Sequence, residues 1–344
     1  MNQAWQNILE NRGARLVDGE PAHFGDPQGE LAAAQSGTVV APLSHFGLIR
    51  CGGEDAASFL HNLFTNDVNH LVDGRAELNG FCSAKGRMLA DFLIWRDGHD
   101  YFLTLSADIQ PAIQKKLCMY VLRSKVKLAD ATDEFVLIGV AGREAAAAVC
   151  AVVAGEAPTE PLRMGRFGQG CVIRLDAQRF ELAVRSEAAE AVWEKLSAMA
   201  KPVGTSAWRW LDIAAGIPHI TVATQEEFVP QMANFELIGG VSFTKGCYPG
   251  QEVVARTKYL GKIKRRMYRI HVPGNACPQA GADLFSAELP DQSCGKVMNS
   301  AAAPGGGCEA LAVLIMASAE AGEVRLGADD GPKIEFRALP YALE

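Results

Sequence analysis

One cysteine lies in a segment whose neighbours would expose it and make it reactive. The segment is KGCYPGQEVVAR at residues 245–256, in which glycines and a proline flank Cys247. These residue types at this spacing are typical of a turn, so we predict that the thiol is displayed rather than packed. Lys245 is close in sequence, and a helix is predicted to begin near Gln251. Both the ammonium group and the helix dipole would favour the thiolate.

An aspartate interrupts a run that otherwise has the pattern of a buried strand. Asp91 is the only charged residue in MLADFLIW at 88–95. Burying an unpaired carboxylate costs several kcal/mol, so such a strand must give the group a partner or a role. The alternative is an aspartate at the sheet edge that points to water.

Basic residues cluster after the cysteine segment in a chain whose net charge is −7. The acidic balance argues against a general nucleic-acid binder, so any such contact would be local. The cluster is either a solvated face or an anion site for the carboxylates of a ligand, the phosphates of a nucleic acid or an acidic partner. Its members are Lys258, Lys262, Lys264, Arg265, Arg266 and Arg269, of which Lys262, Lys264, Arg265 and Arg266 are the possible nucleic-acid contacts.

Composition and terminal sequence indicate a folded cytoplasmic protein. The 344 residues are 49% hydrophobic and 21% charged, enough for two or three domains with a sizeable core. The N-terminus lacks a basic start followed by an apolar stretch, and no run of 18 apolar residues occurs. We therefore expect no signal peptide, no membrane association and a cytoplasmic location.

The remaining cysteines and the histidines do not have metal-ligand spacing. None of the nine cysteines forms a C-x-x-C pair, so a zinc ribbon or a complete iron–sulfur site within one chain is not expected. We predict no metal ligands and interpret the cysteines other than Cys247 as mostly buried free thiols. The histidines at 45, 61, 70 and 219 are interpreted as structural.

The elements that must position these residues alternate between strands and helices. This alternation in the first 150 residues predicts an α+β fold of split βαβ type. Glycines and prolines at 155–170 indicate a linker, and a helix is predicted over 206–215. After residue 261, short strands and glycine-rich turns predict a small β-barrel or sandwich.

Several segments carry a resemblance to a known family. KGCYPGQE resembles the K-G-C-[FY]-x-G-Q-E signature of the YgfZ family, a branch of the glycine-cleavage T-protein superfamily. The likeness covers about residues 38–344. The supporting segments are GGEDAASFLHNLFTNDV (52–68), FCSAKGRMLADF (81–92), AAGIP (214–218), FVPQMANFELIGGVSFTKGC (228–247) and PYALE (340–344).

The resemblance implies both a fold and a role. The implied fold is an α+β, three-domain, T-protein-like cloverleaf with a C-terminal β-barrel. We expect a folate-binding α+β domain at 1–150, a second α+β domain at 151–255 that ends in the signature, and a β-barrel at 256–344. The implied cofactor is tetrahydrofolate or a substituted tetrahydrofolate. The implied partners are iron–sulfur proteins such as tRNA-thiolating enzymes.

The resemblance also implies ligand-binding residues. Asp91 matches a T-protein aspartate that contacts the reacting nitrogen region of folate, where an anion would stabilise a cationic iminium-like centre. Together with Cys247 and Lys245, Asp91 is a candidate catalytic residue. Gly250 and the Gln251–Glu252 pair of the signature are candidate folate ligands.

Two aromatic residues align with positions that line the family's pocket. The flat rings of Phe46 and Trp208 suit a pterin or p-aminobenzoyl group, and the alternative for each is ordinary core packing. One departure argues against T-protein-like catalysis. T-proteins carry R-x-E-x-G, whereas this chain has Asp212 at the Arg position and Ala214 at the Glu position. Either another acid substitutes, or folate binds weakly or in another pose.

Three functional hypotheses follow from these residues. The first is a tetrahydrofolate-binding accessory protein that supports iron–sulfur cluster assembly or repair and iron–sulfur-dependent tRNA modification through Cys247. The second is a folate-dependent, aminomethyltransferase-like one-carbon transferase, which Asp91 favours and Ala214 disfavours. The third is a tRNA- or protein-binding scaffold without catalysis, which would use the basic cluster. Whether the protein is an enzyme is left open.

Overall fold

The computed structural model describes residues 2–274, 277–289 and 292–343. Glu344, the last residue of the PYALE segment, lies outside these ranges. In the described part of the chain, no helix is long and apolar enough to cross a membrane.

Helices and strands alternate along most of the chain, as the sequence predicts. The helices are α1 Gln3–Asn11, α2 Pro27–Ser36, α3 Ala56–His61, α4 Gln110–Tyr120, α5 Ala145–Val153, α6 Ala189–Ser197, α7 Thr205–Ala214, α8 Gln251–Tyr259 and α9 Met316–Ala321. The strands are β1 Arg15–Val17, β2 Glu20–His23, β3 Thr38–Pro42, β4 Phe46–Gly52, β5 Ala76–Cys82, β6 Met88–Asp97, β7 Asp100–Ser106, β8 Lys127–Asp130, β9 Phe135–Gly142, β10 Met164–Phe167, β11 Gly170–Arg174, β12 Arg179–Arg185, β13 Lys201–Pro202, β14 Arg265–Val272, β15 Asp283–Ser286, β16 Ser293–Ala302, β17 Cys308–Ile315, β18 Val324–Leu326 and β19 Glu335–Arg337.

Internal contacts divide the chain into two compact units. Unit 1 comprises Met1–Phe59, Asn69–Glu77 and Leu93–Trp208, and unit 2 comprises Leu60–Val68, Leu78–Phe92 and Arg209–Glu344. The chain therefore passes between the units within β5 and β6. The domain boundaries proposed from sequence stay predictions.

The core of unit 1 is built on a six-stranded sheet in the order β10-β11-β12-β9-β3-β13. Its apolar residues alternate along β9 and β12, where Ile138 pairs with Leu182 and Val140 with Phe180, and all four are fully buried. Gly139 in β9 leaves room for the indole of Trp208 on α7.

The C-terminal part of unit 2 is a curled six-stranded sheet in the order β18-β15-β16-β17-β14-β19. This confirms the predicted β-rich structure after residue 261. The same region corrects one prediction, because Cys277 and Cys308 form a disulfide and are not free thiols. Cys118 also departs from the prediction of buried thiols, since it is exposed on α4.

Strand β6 is an interior strand, and this decides between the two interpretations of Asp91. It lies between β5 and β7 in the sheet β5-β6-β7-β4-β8, and every residue from Met88 to Trp95 is buried. Asp91 is 7% exposed. The water-facing alternative at a sheet edge is therefore wrong, and the carboxylate must be satisfied inside the protein.

The close packing in unit 1 gives a testable prediction. A Cβ added at Gly139 would lie 2.4 Å from the ring of Trp208, which is 1% exposed. We expect Gly139→Ala to lower the free energy of unfolding by about 1–3 kcal/mol, because overpacking forces the ring or strand to move. Urea unfolding measures this. Gly168→Ala is the control, since its Cβ would meet nothing within 4 Å; equal losses in both variants would contradict the account.

Candidate functional site

The Asp91 carboxylate is hydrogen-bonded by one short segment of unit 2. Its Oδ1 accepts a hydrogen bond of 2.6 Å from the backbone N–H of Ile220, and its Oδ2 lies 3.0 Å from Nδ1 of His219. Both partners are adjacent in sequence and follow the end of α7. The strand thus keeps its aspartate because each carboxylate oxygen has a donor.

His219 lies between two carboxyl groups. Its Nε2 is 3.5 Å from Oδ2 of Asp212 on α7, a distance that fits an ion pair better than a good hydrogen bond. The backbone of His219 is fixed as well. Its N–H donates to Oδ1 of Asn299 at 2.9 Å, and its carbonyl accepts from Nδ2 of the same asparagine at 2.8 Å. Asn299 lies on β16, so the C-terminal sheet holds the histidine in place.

The two carboxyl groups determine the charge of the imidazole. Burial acts to lower the pKa of His219, but the interactions with Asp212 and then Asp91 outweigh it and raise the pKa to about 10. His219 is therefore an imidazolium at neutral pH. The site presents a half-buried cation that lies between the strand carboxylate of Asp91 and the helix carboxylate of Asp212.

Sequence reasoning identified Asp91 but missed its partner. The lack of ligand spacing predicts a structural role for His219, and Asp212 stands out in the sequence only as a departure from the T-protein pattern. The useful signal was chemical: a carboxylate in an apolar strand requires a donor. Spacing could not supply its identity, since 128 residues separate the two side chains.

The Cys247 loop is displayed, as the turn pattern predicts. Cys247 is an exposed free thiol in unit 2. The loop is fixed by a glycine just before α8, because Gly250 has φ +80° and an added Cβ would lie 2.4 Å from the carbonyl oxygen of Ser83 and 2.6 Å from the backbone of Gly86. Only glycine permits this backbone approach. Gln251 adds a hydrogen bond of 3.3 Å from its Nε2 to the carbonyl of Gly246.

Lys245 points into unit 2. Its side chain is buried, and its ammonium donates to the backbone carbonyls of His61 and Phe64 at the end of α3. The ammonium also lies 5.0 Å from the ring centroid of Tyr248. A cation is stabilised by the unpaired carbonyls at a helix C-terminus. Lys245 therefore anchors the loop to α3, and its influence on the thiol stays a prediction.

Three further candidate ligands have structural contacts of their own. Glu252 is exposed and pairs with Arg256 on the same helix at 2.6 Å. The rings of Phe46 and Trp208, 7% and 1% exposed, belong to the core of unit 1. Phe46 packs on His45 with ring centroids 4.1 Å apart. The folate contacts of all three stay predictions.

The basic cluster is only partly available at the surface. Arg266 is 2% exposed and its Nη1 lies 2.5 Å from Oε1 of Glu236. Arg269 pairs with Glu309 at 2.5 Å. Arg266 therefore serves unit 2 internally, which corrects its assignment to a solvated face, and the anion-binding role of the other members stays a prediction. Lys258, Lys262 and Lys264 are exposed and Arg265 is half-buried.

Across residues 2–274, 277–289 and 292–343, no group of three or more His, Cys, Asp or Glu side chains is placed to hold a metal ion.

Comparisons with known proteins place this geometry in context. Residues 20–242 match the family model for the GCVT N-terminal domain. The chain is 32% identical over 260 residues to the tRNA-modifying protein YgfZ of Escherichia coli O157:H7, covering 75% of this chain and 79% of that one. It is 29% identical to the protein of the same name in Shigella sonnei, covering 92% and 98%.

A solved structure shares the fold. The glycine cleavage system aminomethyltransferase T from Bartonella henselae has a TM-score of 0.81 to this chain at 20% identity, covering 97% of this chain and 96% of that one. The predicted fold class, mixed α and β with a T-protein-like architecture, is thereby confirmed.

The buried Arg266–Glu236 pair gives a prediction about the basic cluster. Burial raises the pKa of Glu236 despite the opposing effect of Arg266. We expect Arg266→Ala to lower the free energy of unfolding by roughly 3–5 kcal/mol, because it leaves a buried acid without its cation. Lys262→Ala, a truncation of an exposed lysine, should change it by less than about 0.5 kcal/mol. Guanidinium unfolding checks both; a stable Arg266→Ala variant would contradict the assignment.

The charge of His219 gives a prediction about pH. Its folded-state pKa of about 10 exceeds the ordinary value of 6.5. The resulting stabilisation is therefore fully present below pH 6.5 and is lost as pH rises through about 10. We expect the stability advantage of the wild type over His219→Gln to shrink across this window, by at most about 1.4 kcal/mol per pH unit.

Denaturant unfolding at several pH values between 6 and 10.5 measures this advantage. Titration of other groups is common to both proteins and cancels in the difference. His99→Asn, in the exposed turn between β6 and β7, is the control and should show no such trend. An advantage that stays constant over this range would contradict a raised histidine pKa.

Proposed function

Because the chain belongs to the YgfZ family and contains a GCVT N-terminal domain, we propose that it acts in tRNA modification as a cytoplasmic, tetrahydrofolate-binding accessory protein. In this proposal it supports iron–sulfur cluster assembly or repair, and Cys247 carries out that support. The name shared by the relatives, tRNA-modifying protein, supports the broader role. The observation that carries the specific role is the exposed thiol on a loop fixed by Gly250.

Folate suits the chemistry of the Asp91 site. The N–H groups of a reduced pterin are donors, and Asp91 and Asp212 supply carboxylate acceptors that the His219 cation holds in place. In this proposal Asp212, which lies beside His219, supplies the acid that Ala214 cannot. When bound, tetrahydrofolate would supply a one-carbon carrier, while the residues of this chain would bind and orient it.

The thiol suits an exchange with a client protein. An exposed cysteine in a rigid loop can approach a partner's cluster or cysteine without unfolding. Iron–sulfur clusters are usually held by four ligands, so Cys247 would contribute one and the client the others. The cluster is the cargo in this proposal.

A second candidate function is one-carbon transfer to or from an amine. Asp91 favours it, because a fixed buried carboxylate can stabilise a cationic centre on the folate. Ala214 disfavours it, since alanine offers no acceptor to the pterin. Turnover of tetrahydrofolate with methylamine donors would establish the transferase, and folate binding without turnover would leave the accessory role.

Calorimetric titration with tetrahydrofolate separates the two sites. We expect Asp91→Asn to weaken binding by about 10- to 100-fold, because a charge-assisted hydrogen bond is lost. Cys247→Ala should bind within about twofold of the wild type, since its thiol serves the client and not the folate. Absence of folate binding by the wild type would reject the cofactor assignment.

A cell assay tests the role of the thiol. Cells that lack the protein should recover iron–sulfur enzyme activity and tRNA thiolation with the wild-type chain but not with Cys247→Ala. Cys118→Ala is the matched control, because Cys118 is another exposed free cysteine outside the signature. Full complementation by Cys247→Ala would falsify the thiol role.

The scaffold alternative makes a different prediction. A protein that holds tRNA through Lys258, Lys262 and Lys264 should bind it with an affinity that falls steeply with salt. Replacing the three exposed lysines by glutamine should abolish that binding. Salt-insensitive or undetectable binding would remove this alternative.

A further inference from the structure

We propose that His219 is a positioning residue. It holds the Asp91 carboxylate in a fixed orientation for a ligand group that is cationic or donates a hydrogen bond. The identity of that ligand as a folate rests on the proposed function, whereas the positioning role rests on geometry alone.

The first support is the pair of hydrogen bonds to the Asp91 carboxylate. Its two oxygens bind two consecutive groups, the ring of His219 and the backbone N–H of Ile220. One segment therefore fixes both the position and the rotation of the carboxylate plane. Lone pairs that are not used by these donors keep a defined direction.

The second support is that the gripping segment is itself held from several sides. Asn299 bonds both backbone groups of His219. Before it, the chain turns at Gly216, which has φ +67° and whose carbonyl accepts a hydrogen bond of 2.8 Å from the hydroxyl of Tyr341. The N–H of Ile217 closes the helix end by donating to the carbonyl of Asp212 at 3.0 Å. Such support is what a precisely oriented ligand contact requires.

The third support is the second carboxyl group. Asp212 on α7 faces Nε2, Asp91 on β6 faces Nδ1, and the amide of Asn299 on β16 faces the backbone. With a carboxyl group at each nitrogen, the ring cannot rotate without losing one contact. Asp212 thus orients the ring, and the ring orients Asp91. The same arrangement occurs in metal sites, where a carboxylate that bonds one ring nitrogen of a histidine fixes how the other nitrogen meets its partner.

A purely structural ion pair is the competing explanation. It would account for stability but would give no reason for folate affinity to depend on the geometry or charge of the imidazole. Two substitutions separate the explanations. Asparagine places an amide N–H near the position of Nδ1 and can still hold Asp91, whereas glutamine places it near Nε2 and cannot replace that contact.

The experiment measures tetrahydrofolate affinity by anaerobic calorimetry for the full-length wild type, His219→Asn, His219→Gln and the His99→Asn control. We expect His219→Gln to bind about 10- to 100-fold more weakly and His219→Asn to recover a large part of that loss. Wild-type affinity should be constant from pH 6 to 9 and fall towards pH 10.5, whereas the asparagine variant should lack that fall. Circular dichroism confirms that each variant is folded.

Two results would overturn the proposal. One is wild-type affinity and pH profile in a folded His219→Gln variant. The other comes from nitrogen NMR of the histidines, a measurement that needs no ligand. We expect His219 to remain an imidazolium at pH 8, and we expect Asp91→Asn to shift the titration of His219 to lower pH. A neutral His219 that carries its proton on Nε2 at pH 8 would reject positioning even if folate binds, because Nδ1 would then have no hydrogen to donate to Asp91. An imidazolium in a wild type that binds no folate would reject the folate assignment and keep the positioning role.

Discussion

The structure depends on one constraint, the burial of a carboxylate in an otherwise apolar interior strand. Asp91 cannot be hydrated in β6, so the protein must supply a donor to each of its oxygens. His219 and Ile220 do so, and this requirement links the strand, the end of α7 and the C-terminal sheet through Asn299. The Asp91 carboxylate needs all of these contacts within unit 2 in order to be buried. A function explains it better than stability does, since an apolar residue would pack there more favourably.

The signature loop follows a different principle, in which the backbone and not a charge sets the geometry. Gly250 allows the chain to approach Ser83 and Gly86 more closely than any residue with a side chain could. Lys245 then secures the loop to α3 from inside, and this leaves Cys247 at the surface. Unit 2 therefore holds a preorganised acid site and an exposed thiol, the two features on which the proposed function rests.

Local chemistry was predictable from the sequence, and long-range pairing was not. The turn around Cys247 and the β-rich tail follow from residue types that act on their immediate neighbours. Partners distant in sequence, such as His219 for Asp91 or Cys277 for Cys308, carry no spacing signal. The sequence places too many members of the basic cluster at the surface. Adjacent residues of a strand point to opposite faces, so Arg265 and Arg266 on β14 cannot both face solvent.

The central claim is that Asp91, oriented by His219, is the group that receives the ligand. A high-resolution crystal structure of the chain with bound tetrahydrofolate tests it most directly. We expect a ligand nitrogen within hydrogen-bond distance of the Asp91 carboxylate, with the contacts from His219 and Ile220 retained. Folate bound elsewhere, with the Asp91 carboxylate making no contact to it, would contradict the account.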